Sequence, residues 1–271
     1  MSAATAGLSP LYWRRLAATG KTVPRLVAQL LTPVLWILIV GPALARALGS
    51  FSPSIDYYTY VAVGQVAFLV PFTAMFAGID LLTDKDFGIL RELLVAPIRR
   101  ATIPLANAAA VATVALLQVA LVALLAVARG AHFHTSLARL PWFVATAALL
   151  SLGMFGIAQV LALAIKQQAA YGALIPAIGV TPFFLSGAMY PLAVLPLGLK
   201  AIALVLPWTH AVALLHYGMM QGTDPGLAAI WHLSSEPLMA TLSLAALAVF
   251  AVASLAIAVR VFSKSTSDNV P

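Results

Sequence analysis

The chain has 271 residues, 62% of them hydrophobic and only 8% charged. A soluble domain is about 45–50% apolar and about 25% charged, so ordinary soluble, disordered and fibrous classes are excluded. The 15 basic and 8 acidic residues leave a net charge of +7, and there is no cysteine, which excludes disulfide frameworks and thiolate sites. In so apolar a chain the basic excess reads as the Lys/Arg bias that membrane proteins keep on their cytoplasmic side, and no nucleic-acid partner is expected.

The elements follow in chain order. Ser9-Pro10 reads as an N-cap followed by proline at the first helical position. Leu8, Leu11, Tyr12 and Leu16 then fall at helical spacing beside Arg14 and Arg15. This predicts an interfacial helix over 8–25, either touching lipid phosphates or serving as a plain basic anchor. One membrane span needs roughly 20 apolar residues, and six stretches qualify: 26–48, 57–79, 104–127, 140–165, 169–188 and 238–259. They must be helices, because an isolated strand leaves backbone groups unpaired in lipid. The expected fold is an all-α polytopic membrane protein, one transmembrane domain over 1–271. Ala43-Leu44-Ala45 resembles a signal cleavage site, but the apolar run before it is too long for a signal peptide.

From Ala169 to Tyr217 the chain is too long for one span and carries Pro176, Pro182, Pro191, Pro196 and Pro207. One span followed by a partly buried, re-entrant hairpin over 189–217 is expected, with two full spans as the other reading. Ser50–Ser54 and Gly222–Gly226 read as external loops, and Ser263–Pro271 as a polar tail.

Six spans put both termini on one side. That side then holds Arg14, Arg15, Lys21, Arg25, Lys85, Arg91, Arg99, Arg100, Lys166, Arg260 and Lys264, against Arg46, Arg129, Arg139 and Lys200 opposite. A seventh span would move Arg260 and Lys264 across and weaken the split. Both termini are therefore expected in the cytoplasm, in a multi-pass protein of the cell membrane.

One stretch is dense in charge. Residues 80–100 hold Asp80, Asp84, Asp86 and Glu92, half of the acids, together with Lys85, Arg91, Arg99 and Arg100. Leu90, Leu93, Leu94 and Pro97 recur at spacings of three and four, which predicts a short amphipathic helix that Pro97 ends. Its apolar stripe needs a cover. The acids argue against the anionic cytoplasmic leaflet and for a protein partner.

Here the chain resembles a known family. The run from Asp86 and Gly88 through Leu90-Arg91-Glu92-Leu93-Leu94 to Pro97, Arg99 and Arg100 resembles the signature of ABC-2 type permeases, the membrane subunits of the daunorubicin-resistance and O-antigen export class of ABC transporters. Phe183-Phe184-Leu185-Ser186-Gly187-Ala188-Met189-Tyr190-Pro191 is similar to the family's run after span five. Leu206-Pro207-Trp208-Thr209-His210 is similar to its run before span six. His216 stands where many members carry an Arg, so no role of that Arg transfers. The resemblance implies a half-transporter: two such permeases, identical or paired with a sister chain, above two ABC ATPase subunits. It makes 80–100 the coupling loop seated on the ATPase, the Arg14 helix its interfacial neighbour, and 189–217 the re-entrant external pair.

The chain has no Gly-x-x-x-x-Gly-Lys-Ser/Thr phosphate loop. No enzymatic activity and no cofactor are expected in it, and ATP and Mg would belong to the partner ATPase. His132-x-His134 lacks a third ligand nearby, so no metal site is expected. Two other classes fit less well. Asp80-x-x-x-Asp84 puts two carboxylates on one helix face, as a Mg-dependent intramembrane prenyltransferase requires, but no second Asp-rich motif accompanies it. A non-transporting membrane scaffold explains the spans and the docking loop but not a broken external hairpin. Within the spans ionisable groups are scarce, which disfavours ion-coupled transport. Gln65, Thr73, Asn107, Gln118, Gln159, Tyr171 and Tyr190 are the polar candidates for a pathway, or for bonds between helices. Phe183, Phe184 and Tyr190 form either an external gate or an aromatic belt. The expected cargo is amphipathic or lipid-like, including drugs and antibiotics, with surrounding membrane lipid as a further contact.

Overall fold

A computed structural model describes residues 7–48, 56–165, 167–220 and 226–267. The expected loop at Ser50–Ser54, residues 222–225 of the next one, Lys166 and the end of the tail lie outside the described residues. The architecture is all-helical, and among the described residues six helical segments are long and apolar enough to cross a membrane.

The chain opens with α1 (Leu8–Gly20) and, after a break at Lys21–Thr22, α2 (Val23–Leu35). The helix begins at Leu8, with Gly7 before it, so Ser9 lies within the first turn rather than capping it. The expected interfacial stretch 8–25 is therefore divided, its last three residues belonging to the first span. That span is not one regular helix. A π-helical turn, Trp36–Val40, separates α2 from α3 (Gly41–Leu48), and Pro33 lies inside α2.

At the start of α4 (Tyr57–Asp86), Asp56 accepts hydrogen bonds from the backbone N–H groups of Tyr58 at 3.1 Å and Thr59 at 3.2 Å, a regular N-cap. With 30 residues the helix is about 45 Å long and outreaches the apolar stretch 57–79 by two turns. Asp80, Asp84 and Asp86 therefore lie on a helix, not in the loop expected from residue 80. A two-residue turn, Phe87-Gly88, leads to α5 (Ile89–Val95), followed by α6 (Thr102–Ala128), α7 (Leu140–Ile165) and α8 (Gln168–Leu185). The segment after α8 contains a 3₁₀ turn at Leu192–Val194, α9 (Leu197–Val205) and α10 (Pro207–Met219), with a bend of 80° between α9 and α10. The short α11 (Gly226–Trp231) leads to the final span, α12 (Glu236–Ser267), which runs past the expected end at 259.

Most of α4 is buried, because it sits at the centre with α2, α3, α6, α7, α8 and α10 packed around it. The other extensive interface joins α7 to α12. Lipid is as apolar as leucine, so helices associate where small residues let backbones approach. Gly156 does this for α7 and α12: a Cβ there would lie 2.5 Å from the carbonyl carbon of Ser254 and 2.7 Å from its oxygen. Gly156→Ala must push the two spans apart and is expected to cost about 1–3 kcal/mol, as overpacking does. Gly172→Ala, into open space, is expected to be neutral or slightly stabilising. Thermal unfolding of the two purified variants checks the contrast.

Candidate functional site

The C-terminal end of α4 carries a compact ionic cluster. Arg15 of α1 places Nη2 2.5 Å from Asp80 Oδ2 and Nη1 3.4 Å from Asp84 Oδ2. Arg25 of α2 grips Asp80 with both terminal nitrogens, at 2.6 and 3.3 Å, and Arg14 lies 3.5 Å from Asp84. Asp80 and Asp84 are one helical turn apart and so present both carboxylates to the same neighbours. Only 6% of the Arg15 side chain is exposed, which places this pair in a low-dielectric setting where ionic contacts are strong and costly to break. The guanidinium also lies over the Phe76 ring in the case of Arg25, 5.8 Å from its centroid. The interfacial helix thus turns Arg15 inward onto α4 rather than toward lipid phosphates. The carboxylates of the prenyltransferase reading are held by three arginines, and among the described residues no group of three or more His, Cys, Asp or Glu is placed to hold a metal ion.

Gly88 adopts a left-handed conformation, φ +76°, and is the residue before the first turn of α5. That turn folds α5 back under α4. The stripe expected to await a partner is consequently covered by this chain itself. Leu90 is buried, and Leu93 and Leu94 pack against the bundle's own core. Of that stripe only Pro97 stays exposed, beside Phe87, 78% exposed, and Val95, 85% exposed, with Arg91, Glu92 and Arg99. Asp86, the last residue of α4, accepts a hydrogen bond from Gln168 Nε2 at 3.0 Å, and Arg100 is half-buried.

The polar residues within the spans mostly tie helices together. Thr73 donates to Gln118 Oε1 at 2.6 Å, and Gln118 Nε2 donates to Gln29 Oε1 at 3.1 Å, which links α4, α6 and α2. Gln159 donates to the Ala77 carbonyl at 3.1 Å, and the buried Tyr171 hydroxyl donates to the Met75 carbonyl at 2.7 Å. Asn107 is buried. Gln65 is fully buried, and neither of its amide atoms has a hydrogen-bond partner.

Toward the opposite end of the bundle, Phe183 is buried against Phe68 at a centroid distance of 5.5 Å, while its neighbour Phe184 is exposed. The Tyr190 hydroxyl donates to the Phe184 carbonyl at 2.7 Å, and the Tyr60 hydroxyl donates to the Gly187 carbonyl at 2.6 Å. These bonds and the positive φ of Gly187 close the turn that follows α8. Beyond it α9 is largely exposed, whereas α10 is almost wholly buried. Pro207 opens α10, and the Thr209 hydroxyl donates to the Ala203 carbonyl at 2.5 Å, holding the bend between the two. His210 Nδ1 lies 3.2 Å from Ser243 Oγ, which also receives the Trp231 indole N–H at 2.8 Å. His216 is stacked on Tyr60 with ring centroids 4.0 Å apart, and its Nε2 lies 3.2 Å from the Tyr60 carbonyl oxygen. His216 thus joins α10 to α4. Its separation from Tyr60 in sequence gives no cue to this pairing, nor did the spacing of Arg15, Arg25, Asp80 and Asp84 reveal the ionic cluster.

Among the described residues, six apolar helical segments with α4 at their centre, a bent helical pair near one end and a charged turn at the other define a helical multi-pass membrane protein. Over residues 8–220 the chain matches the ABC-2 type transporter family, and it belongs to that family. It is 27% identical over 207 residues to "Putative transport permease ycf38" of Porphyra purpurea, a match that covers 76% of this chain and 68% of the relative. The proteins of the same name from Pyropia yezoensis and Cyanophora paradoxa are 26% identical over 202 residues and 25% over 189. These matches cover 74% and 69% of this chain and 67% and 65% of the relatives.

Removing Arg15 strips Asp80 of one of its two arginines and leaves Asp84 with the 3.5 Å contact to Arg14. Arg15→Leu is therefore expected to destabilise the protein by about 1–3 kcal/mol. Exchanging the charges in Arg15→Asp with Asp80→Arg is expected to recover part of that loss, against Arg15→Asp alone. Thermal unfolding of the single and double variants checks this.

Proposed function

We propose that the chain is the membrane-spanning permease subunit of an ATP-driven ABC exporter. Two copies, or one copy and a sister permease, stand above two ATPase subunits, which bind the ATP and Mg. Residues 86–100 form the ATPase dock, and both termini lie in the cytoplasm, with the chain in the cell membrane. One observation carries this reading. Phe87 and Val95 are large apolar residues exposed beside Arg91 and Glu92, on a short helix whose other face is fastened to the central span. A monomer gains nothing by showing apolar side chains next to charges at a membrane end, whereas a docked partner buries them.

The mechanics follow from the attachments. Closure of the ATPases on ATP pushes α5. The Leu90, Leu93 and Leu94 contacts carry the push to α4, and the Arg15–Asp80 cluster makes α1 and α2 move with it. Because α4 is surrounded by other spans, its displacement reaches α7, α8 and α10 together. The exposed α9 and buried α10, sharply bent at Pro207, act as the re-entrant external pair over 189–217. Phe183, Phe184 and Tyr190 stand at its base as the external gate. Gln65, Gln118 and Tyr171, neutral and inside the bundle, suit an amphipathic or lipid-like cargo, such as a drug or antibiotic, better than a charged one.

The dock is tested in the assembled complex. Val95→Asp puts a charge in the proposed interface and is expected to lower recovery of the co-purified ATPase about tenfold, the equivalent of about 1.4 kcal/mol. Glu92→Ala and Gly88→Leu are expected to leave subunits associated but to lower substrate-stimulated ATP hydrolysis. Normal recovery and normal stimulation in all three would overturn the assignment.

A further inference from the structure

The face of α4 that meets the first span carries polar groups that have no hydrogen-bond partner among the described residues. Tyr58, Gln65 and Phe76 are two and three turns apart and lie within about 20° of one another around the helix. Two contacts fix what this face meets. A Cβ on Gly41 would lie 3.1 Å from the Tyr58 ring, and Arg25 lies over the Phe76 ring. The first span therefore runs antiparallel along this face, and interpolation between the two contacts sets Gln65 level with Leu35 and Trp36, the start of the π-helical turn. The Tyr58 hydroxyl and both amide atoms of Gln65 are buried and lack a hydrogen-bond partner. Burying an amide without a partner costs on the order of 1–3 kcal/mol by mutational measures. A group kept at that cost calls for an explanation.

The wall opposite is made to change. Its π-helical turn is a form that occurs as an isolated insertion, often at functional sites. Pro33 precedes it, and Pro42 follows and offers no N–H to the carbonyls of the turn before it. Along the span Val27, Leu31, Leu35 and Ile39 point away from the bundle, so little in this chain holds the span from behind.

Resting on the exporter reading, we infer that Tyr58 and Gln65 form a concealed hydrogen-bonding subsite for the cargo, covered by the π-helical turn and uncovered when the first span moves. The chemistry that fits is an uncharged head group bearing hydroxyl or amide functions. Gln65 offers donors and an acceptor, the Tyr58 hydroxyl offers one of each, and Val61, Ala62, Leu69 and Phe72 complete the face without a charge. The charged groups within electrostatic reach, Asp56 and Arg129, lie at the Tyr58 end, and the face around Gln65 carries none.

The chain has no cysteine, so single cysteines report directly. Gln65→Cys and, two turns away, Tyr58→Cys are placed in the complex with its ATPase in lipid nanodiscs. Each is treated with a water-soluble methanethiosulfonate, with and without ATP and orthovanadate. Both thiols are expected to be protected without nucleotide and to react at least tenfold faster in the trapped state. Octyl glucoside is expected to slow that reaction, and octyltrimethylammonium is not. Protection in both states overturns the uncovering, and reaction in both overturns the concealment. Equal slowing by the two amphiphiles overturns the proposed head-group class, and slowing by neither overturns the subsite. Failure of the exporter reading is separately visible, as absence of a co-purifying ATPase or of vanadate-sensitive hydrolysis.

Discussion

The ionic contact of Arg15 and Arg25 with Asp80, extended by Asp84 and Arg14, is the constraint on which the inner half of the structure depends. A helix of 30 residues that ended in unpaired carboxylates at the membrane boundary would fray or carry its charge to water. Neutralised by three arginines, the carboxylates let α4 continue as a helix through Asp86. Three consequences follow from that extension. The first helix is fastened to the bundle rather than floating on lipid. The chain reverses in the two-residue turn Phe87-Gly88, with Gly88 left-handed. The segment after it lies flat against α4 with one face buried and one exposed.

The same economy of polar groups runs through the membrane. Where lipid surrounds a helix, hydrophobic burial gives no preference for one neighbour over another, and small residues and hydrogen bonds decide the packing. Gly156 brings two backbones together, and the Thr73–Gln118–Gln29 chain joins three helices. Tyr171, Gln159 and His216 each fasten a helix to a carbonyl of α4. Single polar atoms of Asn107, Thr146, Ser151 and Trp208 are also buried without a partner, but Gln65 lacks one at both amide atoms, and it and the Tyr58 hydroxyl face the span that is least regular.

Much of the fold was legible in the residues. The length and number of apolar runs placed six spans, and Pro97 ended a short helix; of the five prolines expected to break the stretch after Ala169, Pro191, Pro196 and Pro207 do so, whereas Pro176 and Pro182 lie inside α8. The site was legible only in part. Charge density in 80–100 drew attention to a stretch that was expected to await a partner, and much of it is engaged by the chain itself. Asp80 and Asp84 serve the chain's own arginines, and Leu90, Leu93 and Leu94 its own core. Amphipathic spacing says that a face is to be covered but not by whom. Residue-by-residue hydropathy likewise passes over a buried arginine, because Arg15 beside Arg14 looks like an anchor until its partners, some 65 residues on, are brought to it.

Composition and the run lengths of apolar residues determined by themselves that this protein crosses the membrane as helices, since backbone groups in lipid have to be paired within the segment. The order of short motifs determined its kinship with ABC-2 type transporters. Only the tertiary structure decided which polar residues meet, which of them remain unpaired and which face of the helix after Gly88 stays open. Those depend on contacts between residues distant in sequence, and along a membrane helix one apolar face reads much like another until a neighbour is packed against it.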